Sequence, residues 1–171
     1  LFRSARSLVG TTPLEIEIQR DSAYGIVLRA PGFMDQRVGF AGGMASMEQT
    51  VVLVPRGALP EGFVPIAGRP ESPSPFAILE REIRSDEYLQ FLNQAETLGR
   101  IDGAQEPMLY PRQRGALNGG SLWERGGAGG FSLPEGWPGD WPVLGVSWHD
   151  ARAYAAWRTE WARAAGKPWT F

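Results

Sequence analysis

The sequence predicts an α+β protein: a small antiparallel β domain over residues 1–58, then a part over residues 59–171 with two short helices and long structured loops. Three observations predict it. Leu14-Glu15-Ile16-Glu17-Ile18 alternates apolar and charged residues with the period of a half-buried strand. Tyr88, Phe91, Leu92 and Ala95 recur at the spacing of one helical face. Ser147, with Asp150 three positions on, precedes a run closed by Gly166, as expected of a capped helix.

In the first part, further strands are expected at Tyr24-Gly25-Ile26-Val27-Leu28, around Arg37-Val38-Gly39-Phe40 and over Thr50 to Val54, with a turn at Pro31-Gly32. No helical period separates these segments, so they read as an antiparallel unit rather than a βαβ crossover. Five prolines, at positions 60, 65, 70, 73 and 75, then leave room only for a short strand near Phe63. The domain boundary is set at Leu59.

In the second part, Ser85 is expected to cap a helix running to about Glu96, with Asp86 and Glu87 favouring its positive end. The long stretch from Gly99 to Gly139 lacks periodicity and is rich in glycine, so it reads as a loop region pinned by aromatic side chains. On the last helix, Ala151, Tyr154, Ala155, Arg158 and Ala162 form one stripe; Tyr154, Trp157 and Trp161 form an aromatic one beside it.

Composition restricts function. Hydrophobic residues make up 43% and charged residues 21%, as in a folded chain, and the formal charge of -2 provides no field for nucleic acid. Arg112 and Arg114 are too sparse for a phosphate-tracking arm. No run approaches the ~18 apolar residues needed to cross a bilayer, so no membrane span is expected. Absence of cysteine excludes disulfides, thiol nucleophiles and Cys-ligated metal within these residues; it fits the cytoplasmic setting expected here and also suits a secreted bacterial or hot-environment protein. The chain begins at Leu1 rather than at a methionine, as expected of a piece of a longer protein.

No catalytic, metal or cofactor site is expected. His149 is the only histidine and falls at the expected helix start, N1, where the dipole disfavours its cation. Asp140 and Asp150 match no calcium-loop spacing, and Asp150 is better used as a cap. Glu80 and Glu82 read as a solvated strand face, and the glycine runs contain no GxxxxGK[ST] cradle. What stands out is Tyr110, Trp123, Phe131, Trp137 and Trp141, five aromatics within or next to the loop region. They either clamp the loops or form a rim for a protein or small ligand.

The run WPVLGVSWHDARAYAAW followed by GKPWTF resembles the formylglycine-generating enzyme, or sulfatase-modifying factor, family, which has a C-type-lectin-like fold. Upstream, Glu82, Ile83, Ser85, Glu87, Tyr88 and Phe91 match the family's EVTNxEYxxF pattern, with Ser85 where Asn is usual. Pro142, Val143, Gly145, Val146, Ser147, Trp148, Asp150, Ala151 and Trp157 match its second block. The resemblance implies that residues 59–171 are the N-terminal portion of such a domain. The family pattern continues after GKPW with Arg-Leu-Pro-Thr-Glu-Ala-Glu-Trp-Glu, whereas Thr170-Phe171 stands here. It therefore implies that the C-terminal half is missing, with the catalytic cysteines and metal ligands of active members.

The run GSLWERGGAGGFSLPEGWPGDWPVLGVSW is similar to versions appended to bacterial serine/threonine kinases, and the fold is also used in variable ligand-binding proteins. The implied function is a non-catalytic recognition or regulatory module, associated with a kinase domain or a complementary chain. The alternative is a fragment of an oxygen-dependent formylglycine-generating oxidase whose catalytic residues lie outside this chain.

Overall fold

The computed structural model describes residues 10–13, 15, 17, 19, 22–41, 51–66, 76–94, 97, 99, 109–113, 120–127 and 129–171. Their secondary structure is α+β. Two compact units divide the chain: Leu1–Ala58 with Val64–Ile78, and Leu59–Phe63 with Leu79–Phe171.

In the first unit, β1 (Ala23–Leu28) pairs antiparallel with β2 (Gln36–Ala41), in the register Ile26 opposite Val38 and Leu28 opposite Gln36. Tyr24, Ile26 and Leu28 are half-buried while their neighbours are exposed, which is the alternation expected of a strand with one covered face. The turn forms at Pro31-Gly32, where Gly32 takes φ +80° and Phe33 N–H donates to the Ala30 carbonyl at 3.1 Å. Thr50–Val54 was expected as a strand, but Val51–Val54 forms none; the chain there only touches the turn, through Met34 N–H to the Val54 carbonyl at 2.8 Å and a Phe33–Pro55 bridge. Pro55 and Gly57 end any longer ladder, one by removing a donor and the other by taking φ +83°. Leu14, Ile16 and Ile18 lie outside the described residues. β3 (Phe63–Ile66) and β4 (Phe76–Leu79) form a second two-stranded sheet.

In the second unit, α1 (Ser85–Leu92) is shorter than expected and starts one residue earlier. Arg84, not Ser85, is the extended N-cap residue, and Asn93 closes the helix. First-turn donors are satisfied from outside the helix: Ser85 and Asp86 N–H donate to the Trp141 and Gly139 carbonyls at 2.7 and 2.9 Å, while Glu87 Oε2 accepts from Arg84 N–H at 3.0 Å. Ala95, expected on the buried face, lies outside the described residues. Tyr88, Phe91 and Leu92 are fully buried, as their spacing requires.

The loop region contains structure that periodicity did not reveal: β5 (Glu124–Arg125) and β6 (Phe131–Ser132) form a two-residue antiparallel ladder, with Arg125 opposite Phe131. The final helix, α2 (Trp148–Ala164), has Ser147 as N-cap, as expected. Trp148 is its first residue, so His149 is one position further in than expected and is exposed. At the other end Gly166, at φ +69°, donates to Arg163, and Lys167 donates to Ala162; these paired bonds are the Schellman stop.

Candidate functional site

The second unit is held by an aromatic cluster. Tyr88 stacks on Tyr154 at 5.4 Å between ring centroids, and Phe91 meets Tyr154 edge-on at 5.6 Å and Trp157 at 5.7 Å. These contacts join α1 to α2 through residues that share one face on each helix. Tyr88 donates its hydroxyl hydrogen to the Leu109 carbonyl at 2.8 Å. Burial raises the Tyr88 hydroxyl far above the ordinary phenol range, with Asp150 adding to the rise, and burial likewise raises Tyr154. Both stay neutral and act as packing groups with a polar handle.

The five loop aromatics separate into distinct environments. Trp123, 2% exposed, meets Tyr88 edge-on at 6.1 Å, and Phe131 is buried against the half-buried Tyr110 at 5.5 Å. Trp123 and Phe131 thus belong to the core, with Tyr110 at its edge. Trp137 and Trp141 form a separate edge-to-face pair at 5.9 Å, with Trp137 half-buried and Trp141 53% exposed. The pair is held from below: Trp137 Nε1–H donates to Ser85 Oγ at 3.1 Å, and the Trp141 carbonyl accepts from Ser85 N–H. Ser85 is therefore a support for both tryptophans rather than the expected cap.

Asn93 holds the other side of the loop region. Its Oδ1 accepts from Phe131 N–H at 2.7 Å and its Nδ2 donates to the Phe131 carbonyl at 2.9 Å, so one amide fixes β6 against the end of α1. Sequence reasoning assigned Asn93 no role. Its position directly after the buried Phe91-Leu92 pair was the available signal.

The matched family pattern has a physical core of its own. Ser147 Oγ accepts from Asp150 N–H at 3.3 Å while Asp150 Oδ2 accepts from Ser147 N–H at 2.6 Å, completing the expected reciprocal cap. The same Oδ2 receives Arg112 Nη2–H at 2.7 Å; the Asp150 side chain is 5% exposed and that of Arg112 20%. Gly145 lies over this junction at φ +76°, where a Cβ would stand 2.4 Å from the Arg112 carbonyl oxygen and 2.8 Å from Leu122 Cδ1. Only glycine fits there. Trp148, by contrast, is exposed, with the Arg152 guanidinium 4.8 Å from its ring centre.

A cavity of about 400 Å³ opens beside α2. Its lining includes Ala151, Tyr154, Ala155 and Arg158 from the first helical stripe read in the sequence, with Ile83, Val143 and Val146. No group of three or more His, Asp or Glu side chains that could hold a metal occurs among the described residues. Among them, too, no helix is long and apolar enough to cross a membrane.

Two capped helices around an aromatic core, with a loop region tied to both, define an α+β scaffold of which the matched sequence blocks are the structural joints. Residues 34–169 match the family model described as the sulfatase-modifying factor enzyme 1-like domain, and the chain belongs to that family. No curated protein and no solved structure matches it.

Proposed function

We propose that the chain is a recognition or regulatory module of the sulfatase-modifying factor family that binds a partner through its loop aromatics and performs no cysteine oxidation of its own. The observation that carries this reading is the Trp137–Trp141 pair: a largely exposed indole braced edge-on by a second one, itself tied to Ser85. A braced tryptophan loses little rotamer freedom on contact and offers a large area, as binding hot spots do. Tyr110 is the other partly exposed member of the rim, while Trp123 and Phe131 support it from the core. The chain's complete lack of cysteine supports the non-catalytic reading, because no thiolate can hold a metal or carry an oxidised intermediate here.

Several finer assignments belong to the same proposal. Residues 1–58 are a small β-rich domain, a reading supported by the grouping of Leu1–Ala58, together with Val64–Ile78, in one compact unit, while the family match already begins at residue 34. Association with a serine/threonine kinase domain, or with a complementary chain, rests on the similarity of the run Gly120–Trp148. A bacterial, cytoplasmic setting rests on that similarity and on the absence of cysteine.

Two measurements test the reading. The product of the uninterrupted gene is incubated with a cysteine-containing sulfatase peptide and oxygen, and the peptide is analysed by mass spectrometry; no aldehyde is expected, and conversion would establish the oxidase alternative, whose catalytic residues lie outside residues 1–171. Partner capture is then compared for the wild type, Trp141→Ala and Glu135→Ala. Loss with Trp141→Ala alone is expected, and equal capture by all three would remove the rim assignment.

A further inference from the structure

The loop that carries Trp137 and Trp141 consists of two turns of one pattern, Pro134-Glu135-Gly136-Trp137 and Pro138-Gly139-Asp140-Trp141. In each, the tryptophan N–H donates to the carbonyl of the proline three residues back, at 3.0 Å and 3.2 Å. The prolines fix φ and Gly136 takes φ +76°, so the backbone of the loop has few alternatives. The second turn is also fastened to α1: the Gly139 carbonyl accepts from Asp86 N–H, and a Cβ at Gly139 would stand 3.2 Å from Asp86 Cβ. All of these contacts fall within residues 85–141, so the shape of the loop is set locally.

The charge of the loop is one-sided. Between Arg125 and Arg152 the sequence contains no lysine or arginine, and each turn contributes one acid, Glu135 and Asp140. Both are exposed, and among the described residues neither side chain makes an ion pair or a hydrogen bond. The cation at the adjoining end of α1, Arg84, is already paired with Asp86. Elsewhere the chain lays its own cations over tryptophan rings: the Arg152 guanidinium is 4.8 Å from the centre of Trp148, and Lys167 Nζ is 5.5 Å from that of Trp169. Among the described residues no cation lies over Trp137 or Trp141. Trp141, 53% exposed and preceded by an unpaired carboxylate, thus has both features that attract a cation from another molecule.

Resting on the reading of the loop aromatics as a rim, we propose that its partner is a basic protein segment, one arginine of which stacks on Trp141 and pairs with Asp140. A guanidinium suits both groups, because its plane lies flat on an indole while its edge donates to a carboxylate. Asp140 is assigned rather than Glu135 because it directly precedes the exposed indole, whereas Glu135 belongs to the turn that ends in the half-buried Trp137. Trp137 is a positioning residue: its Nε1–H is spent on Ser85 Oγ, and its ring braces that of Trp141.

The test titrates the product of the uninterrupted gene into the fluorescein-labelled peptide Ser-Gly-Arg-Gly-Arg-Gly-Ser, followed by anisotropy. A second peptide carries citrulline at both arginines, which keeps the shape and removes the charge. The arginine peptide is expected to bind about tenfold more tightly, the joint effect of one cation–π contact and one exposed ion pair, with the preference shrinking as salt is raised. Asp140→Asn should reduce the preference about threefold and Trp141→Ala should weaken the arginine peptide about fivefold, while Glu135→Gln changes either by less than about twofold. Both Asp140→Asn and Trp141→Ala alter exposed side chains and are expected to keep the thermal midpoint. Equal binding of the two peptides, no binding of the arginine peptide, or equal effects of Asp140→Asn and Glu135→Gln would each overturn the proposal. Partner capture that still depends on Trp141 would then leave the rim reading standing and refute the cation alone, whereas capture independent of Trp141 removes both.

Discussion

Replacing Asp150 by alanine removes the one carboxylate that serves both the start of α2 and the loop holding Arg112. Its Oδ2 accepts from Arg112 Nη2–H at 2.7 Å and Ser147 N–H at 2.6 Å, in a side chain only 5% exposed. Breaking a buried pair by deleting one partner costs about 3–5 kcal/mol, because the other charge is left behind. Arg112 retains 20% exposure, so water can reach it and the lower part of that range applies. Losing the acceptor for Ser147 N–H adds about 1 kcal/mol, part of which the first figure already contains. The expected destabilisation is about 3–4 kcal/mol. All seven tryptophans lie between Trp123 and Trp169, so urea unfolding followed by tryptophan fluorescence reports the second unit alone. Arg112→Met should cost less, since Asp150 keeps Ser147 N–H, and the double variant should fall short of the sum by about 2 kcal/mol. Strictly additive losses would refute the reasoning, because the pair would then contribute nothing as a pair.

Gly145→Ala forces a Cβ to within 2.4 Å of a backbone oxygen at a positive φ, and should cost about 2–4 kcal/mol in the same urea assay; a change below about 0.5 kcal/mol would mean that the 109–113 segment yields freely. Glu87 is lowered to about 2, first by its bond from Arg81 and then by Arg84 N–H, against the opposing effect of burial. A depressed carboxylate stabilises fully above its ordinary value of 4.5 and loses that contribution as pH falls toward 2. Glu87→Gln should therefore cost about 1–2 kcal/mol at pH 6, a figure reduced for screening because Arg81 is 46% exposed, and almost nothing at pH 2; a gap independent of pH would exclude the ion pair as its source. In the first unit, Gln36 is 1% exposed and its Nε2 has no hydrogen-bond partner among the described residues. Gln36→Met should leave stability unchanged or raise it by about 1 kcal/mol, read as slower amide exchange at Ile26 and Val38; faster exchange would show that the amide is used.

Much of the scaffold was legible because its signals are local. The Ser147–Asp150 cap, the Gly166 stop and the buried Tyr88-Phe91-Leu92 face each depend on residues within one or two turns of one another, where helical geometry leaves few alternatives. The Pro31-Gly32 turn is of the same kind. Resemblance in two ordered blocks was enough to identify the family, and the matched residues prove to be joints: Gly145 for a close approach, Asp150 for a cap with an added ion pair, Tyr88 for the aromatic core.

What remained hidden depends on partners distant along the chain. Ser85 has the residue type of a cap, yet Arg84 takes that position, the Ser85 and Asp86 N–H groups go to the carbonyls of Trp141 and Gly139, and the Ser85 hydroxyl receives Trp137. The β5–β6 ladder is two residues long, too short to leave a period, and it persists because Asn93 clasps Phe131 from the end of α1. Composition and spacing place aromatic residues in loops but cannot divide them between core and surface. That division, which buries Trp123 against Tyr88 and leaves Trp141 outside, follows from which segments meet across dozens of residues, and only burial and hydrogen-bond satisfaction in the folded chain decide it.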